Sequence, residues 1–322
     1  MLLESLAVVV GLVLLGVGAD RFVLGASALA RHLGVAPLII GLTIVGIATS
    51  MPEVLVSSLA AWQGRIDIAI GNAIGSNIAN VALVLGATTL FIPIAISSHA
   101  VKREFMLMLA AILIAGLLLA NLQLSRLDGL ILLAGLIASL YLMVRMARGP
   151  QQNDPLFTET AQEYEHAVSY ARAWVYFLLG LLVLLGGAEL LVRGAIGIAK
   201  SFGISDLVIG LTIVAVGTSL PELAASIASV IKKEADLAIG NIVGSNMFNM
   251  WAVLGIPALL RPGQFEAAVM TRDYPIMLAL SLVFAWLLFG RGNRAIGRGA
   301  GVVLFSCFCA YQAWLFMAPA TL

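Results

Sequence analysis

The stretch GLTIVGIATSMPE, from Gly41 to Glu53, occurs a second time as GLTIVAVGTSLPE, from Gly210 to Glu222. A second phrase follows each copy after the same gap, as AIGNAIGSNIAN from Ala69 to Asn80 and as AIGNIVGSNMFN from Ala238 to Asn249. Both pairs of phrases are separated by 169 residues. The chain is therefore predicted to be a duplicated unit whose chemistry lies in the repeated phrases.

The composition of the chain is that of a membrane protein. Of its 322 residues, 61% are hydrophobic and only 11% are charged, and the mean hydropathy is +1.05. Soluble domains carry about 25% charged residues. The net charge of +1, without a basic cluster, argues against a nucleic-acid partner. We expect membrane lipid around the chain, no cofactor and no obligate protein partner.

Apolar segments of membrane-spanning length divide equally between the two copies. They cover residues 3–30, 36–62, 67–92, 103–121, 126–147, 173–199, 205–231, 236–260, 272–290 and 299–318. The predicted fold is all-α, with ten transmembrane helices in two five-helix repeats, residues 1–147 and 173–322, joined by a polar linker, residues 148–172. Because five is odd, the second repeat enters the membrane from the opposite face and is inverted.

Basic residues in the loops predict the orientation. Those of alternate loops number eleven on one side and six on the other. The positive-inside rule then places the linker in the cytoplasm and both termini outside. We expect a multi-pass protein of the cell membrane, in a bacterium the inner membrane.

Two glutamates, Glu53 and Glu222, lie within apolar segments, where an ionised carboxylate costs several kcal/mol unless it faces protein, water or a cation. Each follows a proline, Pro52 or Pro221. Because proline has no N–H, we expect the second and seventh helices to break there and to free carbonyl oxygens. Broken helices at membrane depth are tolerated where they line a site.

Polar oxygens accompany both glutamates. The hydroxyl and amide candidates are Thr49, Ser50, Ser76, Asn80, Thr218, Ser219, Ser245 and Asn249. Four other asparagines, for which we expect capping or interhelical hydrogen bonds, are Asn72, Asn77, Asn241 and Asn246. With carboxylate, hydroxyl, amide and carbonyl oxygens but no sulfur or imidazole, the pattern favours Ca²⁺ or Na⁺, and Mg²⁺ less because it dehydrates reluctantly.

Exchange follows from the charge of such a site. Two adjacent carboxylates repel each other without a cation. Ca²⁺ can therefore leave favourably only if protons or monovalent ions replace it. This indicates an antiporter.

The paired motifs G-x-T-x-x-x-x-x-T-S-x-P-E and G-N-x-x-G-S-N resemble the repeats of the Ca²⁺/cation antiporter superfamily, in particular its bacterial calcium/sodium antiporter branch. The resemblance covers essentially the whole chain. It implies four overlapping Na⁺ and Ca²⁺ sites built from Glu53, Glu222 and the eight hydroxyl and amide candidates. It further implies backbone ligands at Gly46 and Ala215, and sliding of the first and sixth helices, which carry Asp20 and Glu189.

One position departs from the family pattern. Family members with three-to-one sodium/calcium exchange have a third acid where this chain has Asn249, and the equivalent Asn80 is also an amide. The site then carries at most two negative charges. We expect exchange close to electroneutral, or a stoichiometry and ion preference other than three-to-one.

Other functions remain open at this point. A proton- or potassium-coupled calcium antiporter, or one that moves another small cation, fits the same residues. A channel does not need an inverted repeat with two broken helices. An intramembrane hydrolase using Ser50, Ser57 or Ser219 lacks a histidine or lysine in the same segments to activate the serine, so we do not expect an enzyme.

Overall fold

The computed structural model describes residues 2–94, 100–147, 168–203, 213, 215–290 and 295–317, and these are almost entirely helical. The helices are α1 (Leu2–Leu33), α2 (Pro37–Thr49), α3 (Met51–Trp62), α4 (Ile66–Phe91), α5 (Ala100–Leu119), α6 (Arg126–Ala147), α7 (Tyr170–Ser201), α8 (Ala215–Thr218), α9 (Leu220–Ile231), α10 (Ala235–Leu260), α11 (Val269–Phe289) and α12 (Arg298–Met317). Two short strands, β1 (Gln123–Leu124) and β2 (Gly263–Gln264), pair antiparallel.

Within the described residues, six helices are long and apolar enough to cross a membrane, and the bent pair α2 and α3 would make a seventh. This confirms the prediction of an all-helical integral membrane protein. Most of the predicted linker, residues 148–167, lies outside the described residues, as does the start of the predicted segment 205–231. Helix α7 begins at Tyr170, three residues before the predicted start at residue 173, and Ser169 before it has a non-helical backbone (φ −60°, ψ 152°).

Both helix interruptions fall at a serine rather than at the proline. α2 ends at Thr49 and α3 begins at Met51, with a bend of 42° between them. Ser50 between them has φ −85° and ψ 7°, and Ser219 between α8 and α9 has φ −88° and ψ 3°. Each proline then occupies the first turn of the following helix, where its missing N–H leaves no intrahelical bond unmade.

The long helices α1 and α7 form a close antiparallel pair. Each has 32 residues, about 48 Å at 1.5 Å per residue, so each exceeds a hydrocarbon core of about 30 Å. Gly18 packs on the backbone of Leu184, and Gly25 on that of Phe177. The α1 glycines at positions 11, 18 and 25 recur in α7 at positions 180, 187 and 194. This repeat brings the two backbones into contact along most of their length.

Helices α4 and α10 form the buried centre of the molecule. The described window of α10 is 89% buried and that of α4 is 78% buried. Helix α2 crosses α10 at Gly41 and Gly244, where an added Cβ would lie 2.6 Å from the Leu237 carbonyl oxygen and 2.3 Å from that of Leu42. This close crossing carries the end of α2, with Thr49 and Ser50, against α10.

Candidate cation site

Glu53 and Glu222 occupy the same local position in the two halves. Each is the third residue of a helix that starts after an interruption, and each is only 1% exposed. The first turn of a helix favours a negative charge because its N–H groups are unpaired and the helix dipole is positive there. The interruptions therefore provide a favourable backbone environment for two buried carboxylates.

Hydroxyl groups from one half contact the carboxylate of the other. Ser50 Oγ donates to Glu222 Oε1 at 2.9 Å, and the Thr218 hydroxyl hydrogen-bonds with the Glu53 carboxyl group. The two carboxylates are also close enough to interact electrostatically. The structure thus brings the two acidic residues of the repeated phrases into one cluster, with hydroxyls between them.

A second group of oxygens lies where α2 meets α10. Ser245 Oγ donates to the Gly46 carbonyl oxygen at 3.4 Å, and the hydroxyl oxygens of Thr49 and Ser245 are 3.5 Å apart. An added Cβ on Gly46 would lie 3.0 Å from the Ser245 nitrogen, so a side chain at this position would push α2 away from α10. The glycine at position 46 thus allows the close approach that keeps these oxygens together.

The two amide candidates, Asn80 and Asn249, lie where an α-helix changes to a π-helical stretch. A π-helical stretch begins at Asn80 in α4 (Asn80–Leu85) and at the equivalent Asn249 in α10 (Asn249–Val253). π-turns within α-helices are frequent at functional sites. Ser76 and Asn80 are both buried one turn apart on α4. For Ala215, the structure describes the helical backbone of α8, but the side chain lies outside the described part.

Several of these buried oxygens have no hydrogen-bond partner among the described residues. They are Glu53 Oε2, Glu222 Oε2, Ser219 Oγ, Asn80 Oδ1 and Asn249 Oδ1. An unsatisfied buried polar group costs about 1–3 kcal/mol, and more if it is charged. Four of them form two repeat-equivalent pairs, the Oε2 atoms of the glutamates and the Oδ1 atoms of the asparagines, and their lone pairs are available to a ligand that accepts them. A cation without a preference for sulfur or nitrogen meets that description.

The charge of the cluster is limited to its two glutamates. Among the described residues, no third aspartate, glutamate, histidine or cysteine side chain joins the two glutamates in a metal-binding group. Both amides at the π-turns are neutral. A single divalent cation, or two monovalent ones, would therefore balance the two carboxylates.

The four other asparagines of the repeated phrases include three whose contacts spacing alone did not specify: Asn72, Asn77 and Asn241. Asn72 Nδ2 donates to the Glu53 carbonyl oxygen at 3.1 Å, and Asn241 Nδ2 donates to that of Glu222 at 3.3 Å. Asn77 accepts from Asn249 Nδ2 at 3.0 Å. The sequence predicted interhelical bonding or capping for these residues. Their occurrence in both copies was the available signal, but their partners are distant in the chain.

Buried ion sites beside interrupted membrane helices are a feature of secondary transporters. The model of the family described as "Sodium/calcium exchanger protein" matches residues 4–145 and 172–317. The chain belongs to this family and is a Ca²⁺/cation antiporter, an integral multi-pass membrane protein of a family of transporters rather than enzymes.

Two relatives and one solved structure align over nearly the full length of the chain. The chain is 49% identical over 317 residues to CaxA of Alkalimonas amylolytica, which is named as an antiporter, with 98% of this chain and 99% of CaxA covered. It is 42% identical to the inner membrane protein YrbG of Escherichia coli K12, with 98% of each covered. It is also similar to the sodium-calcium exchanger NCX_Mj in crystals soaked with Na⁺ and Ca²⁺, with 32% identity, a TM-score of 0.84, and 98% of this chain and 99% of that chain covered.

Proposed function

We propose that this protein exchanges Ca²⁺ for Na⁺ by alternating access at a central site. The observation that carries the proposal is the cluster of two buried carboxyl groups, one from each half, whose Oε2 atoms lack a hydrogen-bond partner. The proposed ligand oxygens come from Glu53, Glu222, Thr49, Ser50, Thr218, Ser219, Ser76, Asn80, Ser245, Asn249, Gly46 and Ala215. Similarity to NCX_Mj supports Na⁺ and Ca²⁺ as the transported ions.

The coupling follows from electrostatics. When Ca²⁺ leaves, the two carboxylates face each other across a dry, low-dielectric site, and their repulsion is far larger than in water. Only a return load of cations removes this cost. Return without cargo is thereby suppressed, which makes the transporter an exchanger rather than a leak.

The charge of the site sets the proposed stoichiometry. With neutral Asn80 and Asn249 the site holds two negative charges, so one Ca²⁺ and two Na⁺ are electrostatically equivalent loads. A net charge moved per cycle would couple to voltage at about 2.3 kcal/mol per 100 mV. Exchange in this protein is proposed to be close to electroneutral.

The transport cycle is proposed to use the inverted repeats, residues 1–147 and 173–322, with the linker 148–172 in the cytoplasm and both termini outside. α1 and α7 would move across the rest of the molecule to open the site to each side in turn. Their mutual contact through glycine backbones supports motion as a pair. The name of YrbG supports the bacterial inner membrane as the location.

The site is tested by Glu53→Gln and Glu222→Gln, each of which keeps the side-chain shape and removes one charge. Each should abolish calcium exchange in proteoliposomes while the protein still folds. Glu104→Gln is the matched control, because Glu104 is an equally buried glutamate outside the repeated phrases. Thr49→Ala and Ser219→Ala should weaken ion affinity less, because each removes one neutral ligand. Normal exchange by either glutamate variant refutes the site.

Coupling is tested by calcium flux under separate sodium, potassium and proton gradients at clamped voltage. Uptake driven by the sodium gradient, at a rate independent of voltage, supports the proposal. Uptake that follows only the pH or potassium gradient assigns the protein to the alternative antiporter. A current that reverses at the three-to-one potential contradicts electroneutral exchange.

A further inference from the structure

Asn72 and Asn241 make the same pair of bonds in the two halves. Asn72 Nδ2 reaches the Glu53 carbonyl oxygen at 3.1 Å and Ser57 Oγ at 2.9 Å. Asn241 Nδ2 reaches the Glu222 carbonyl oxygen at 3.3 Å and Ser226 Oγ at 3.1 Å. Each asparagine therefore ties the main chain of a glutamate to the neighbouring long helix, α4 or α10.

Asn241 makes one more contact, and this contact crosses between the halves. Thr49 Oγ1 donates to Asn241 Oδ1 at 3.1 Å, whereas its distances to the Gly46 carbonyl oxygen and to Ser245 Oγ are both 3.5 Å. The Glu222 carbonyl can only accept, so the NH₂ group of Asn241 must face it. Its oxygen is thereby directed at Thr49.

Asn241 Oδ1 and the Glu222 carboxyl group are two side-chain acceptors that compete for the Thr49 hydroxyl hydrogen. A threonine hydroxyl has one hydrogen and two lone pairs. If its hydrogen is committed to Asn241, the lone pairs remain available for a cation. If the hydrogen is free to rotate into the site, it opposes cation binding. A partner outside the ligand set that fixes a ligand's orientation commonly raises affinity.

We infer that Asn241 is a positioning residue, which holds the Glu222 main chain and takes the Thr49 hydrogen so that both ligands are oriented for the cation; this rests on the proposed function. Asn72 positions Glu53 in the same way. Asparagine suits the role because one amide supplies donors to Glu222 and Ser226 and an acceptor to Thr49. Aspartate has no donor for the carbonyl, and alanine has neither group.

A double-mutant cycle between Asn241 and Thr49 tests the inference. Calcium binding to the purified protein is measured by titration calorimetry for Asn241→Ala, Thr49→Val and the double variant. Asn241→Ala alone should raise the dissociation constant about tenfold, as loss of a buried hydrogen-bond network does. In the Thr49→Val background, the same change should raise it only about threefold, since the shared bond is already absent.

Asn72→Ala is the matched control, because Asn72 makes the equivalent donor bonds and no described bond to Thr49. Its effect should be the same with Thr49 or Val at position 49. A purely structural role for Asn241 predicts equal effects in both backgrounds, and that result overturns the inference. Should Asn241→Ala not fold, Asn241→Ser takes its place in the cycle, because serine is too short to bridge both partners. The same difference between the two backgrounds is then expected.

Failure of this inference is distinct from failure of the proposed function. If Glu222→Gln abolishes exchange but the cycle shows independent effects, the site stands and Asn241 has no part in orienting Thr49. If Glu222→Gln exchanges calcium normally, the proposed site itself is wrong.

Discussion

Lys232 Nζ lies 2.5 Å from Asp20 Oδ1, so an ion pair joins α1 to the end of α9. A second pair, Arg31 Nη1 with Glu234 Oε1 at 3.4 Å, fastens the end of α1 to the turn between α9 and α10. The repeat-equivalent of Asp20 is Glu189, which pairs within α7 with Arg193 at 2.5 Å. The two halves therefore hold their long helices differently.

Neutralising Lys232 should weaken this fastening of α1. Exposed ion pairs contribute about 0.2–1 kcal/mol, so Lys232→Gln should shift the balance between the two access states by a factor of about 1.4 to 5. The half-saturating calcium concentrations measured from the two sides of the membrane should then change in opposite directions. Lys233→Gln is the control, because it removes a charge from the same turn but makes no ion pair in the described structure. Equal changes in the half-saturating calcium concentrations of the two variants would contradict the prediction.

A charge reversal at Arg65 should favour an arrangement in which α7, rather than α1, is held by an ion pair at the equivalent turn. The repeat-equivalents of Lys232 and Glu234 are Gln63 and Arg65, and that of Arg31 is Lys200. If α7 took the position that α1 has here, Lys200 would approach Arg65, a like charge. Arg65→Glu turns this repulsion into attraction and should shift the two-sided calcium affinities in the direction produced by Lys232→Gln. A shift in the other direction would show that α7 does not approach this turn.

The α1–α7 contact should not tolerate a side chain at Gly18. A Cβ there would lie 2.4 Å from the Leu184 nitrogen, a backbone atom that cannot move aside. Gly18→Leu should therefore separate the pair and reduce exchange at least tenfold, measured as calcium uptake per folded protein. Gly16→Leu is the matched control, since a Cβ at Gly16 has no neighbour within 4 Å in the described structure. Equal activity of the two variants would contradict a functional role for the close contact.

The polar cluster at the start of α11 should contribute to stability rather than transport. Asp273 is bidentate with Arg272 at 2.7 and 3.1 Å and accepts from Tyr311 Oη at 3.0 Å. Tyr311→Phe should cost about 1 kcal/mol, one hydrogen bond. Arg272→Leu should cost about 3 kcal/mol, because it leaves a buried charge unpaired. Thermal unfolding in detergent measures both, and a loss as large for Phe as for Leu would contradict the ordering.

Much of the fold could be predicted from the sequence because a membrane imposes simple rules. Apolar length predicts spanning helices, and the 169-residue repeat predicts that Glu53 and Glu222 share a local environment. The positions of the interruptions were predicted only to within two residues, since the prolines mark the following helix and not the broken residue itself. The equivalence of Asn72 and Asn241 was visible, but their partners were not.

The partners across the site depended on tertiary structure. Ser50 contacts Glu222 rather than Glu53 of its own segment, and Thr49 contacts Asn241, 192 residues away. Such pairs depend on how the end of α2 packs against α9 and α10, which local spacing does not specify.

The sequence by itself determined a helical membrane protein with two equivalent half-sites and two buried acids. Only the tertiary structure decided that α1 is held to the end of α9 by the ion pair between Asp20 and Lys232. It also decided which hydroxyl group hydrogen-bonds with which carboxylate. The physical reason is that a repeated sequence encodes local conformation twice, whereas the contacts between the copies depend on residues that differ between them, such as Glu234 and its repeat-equivalent Arg65.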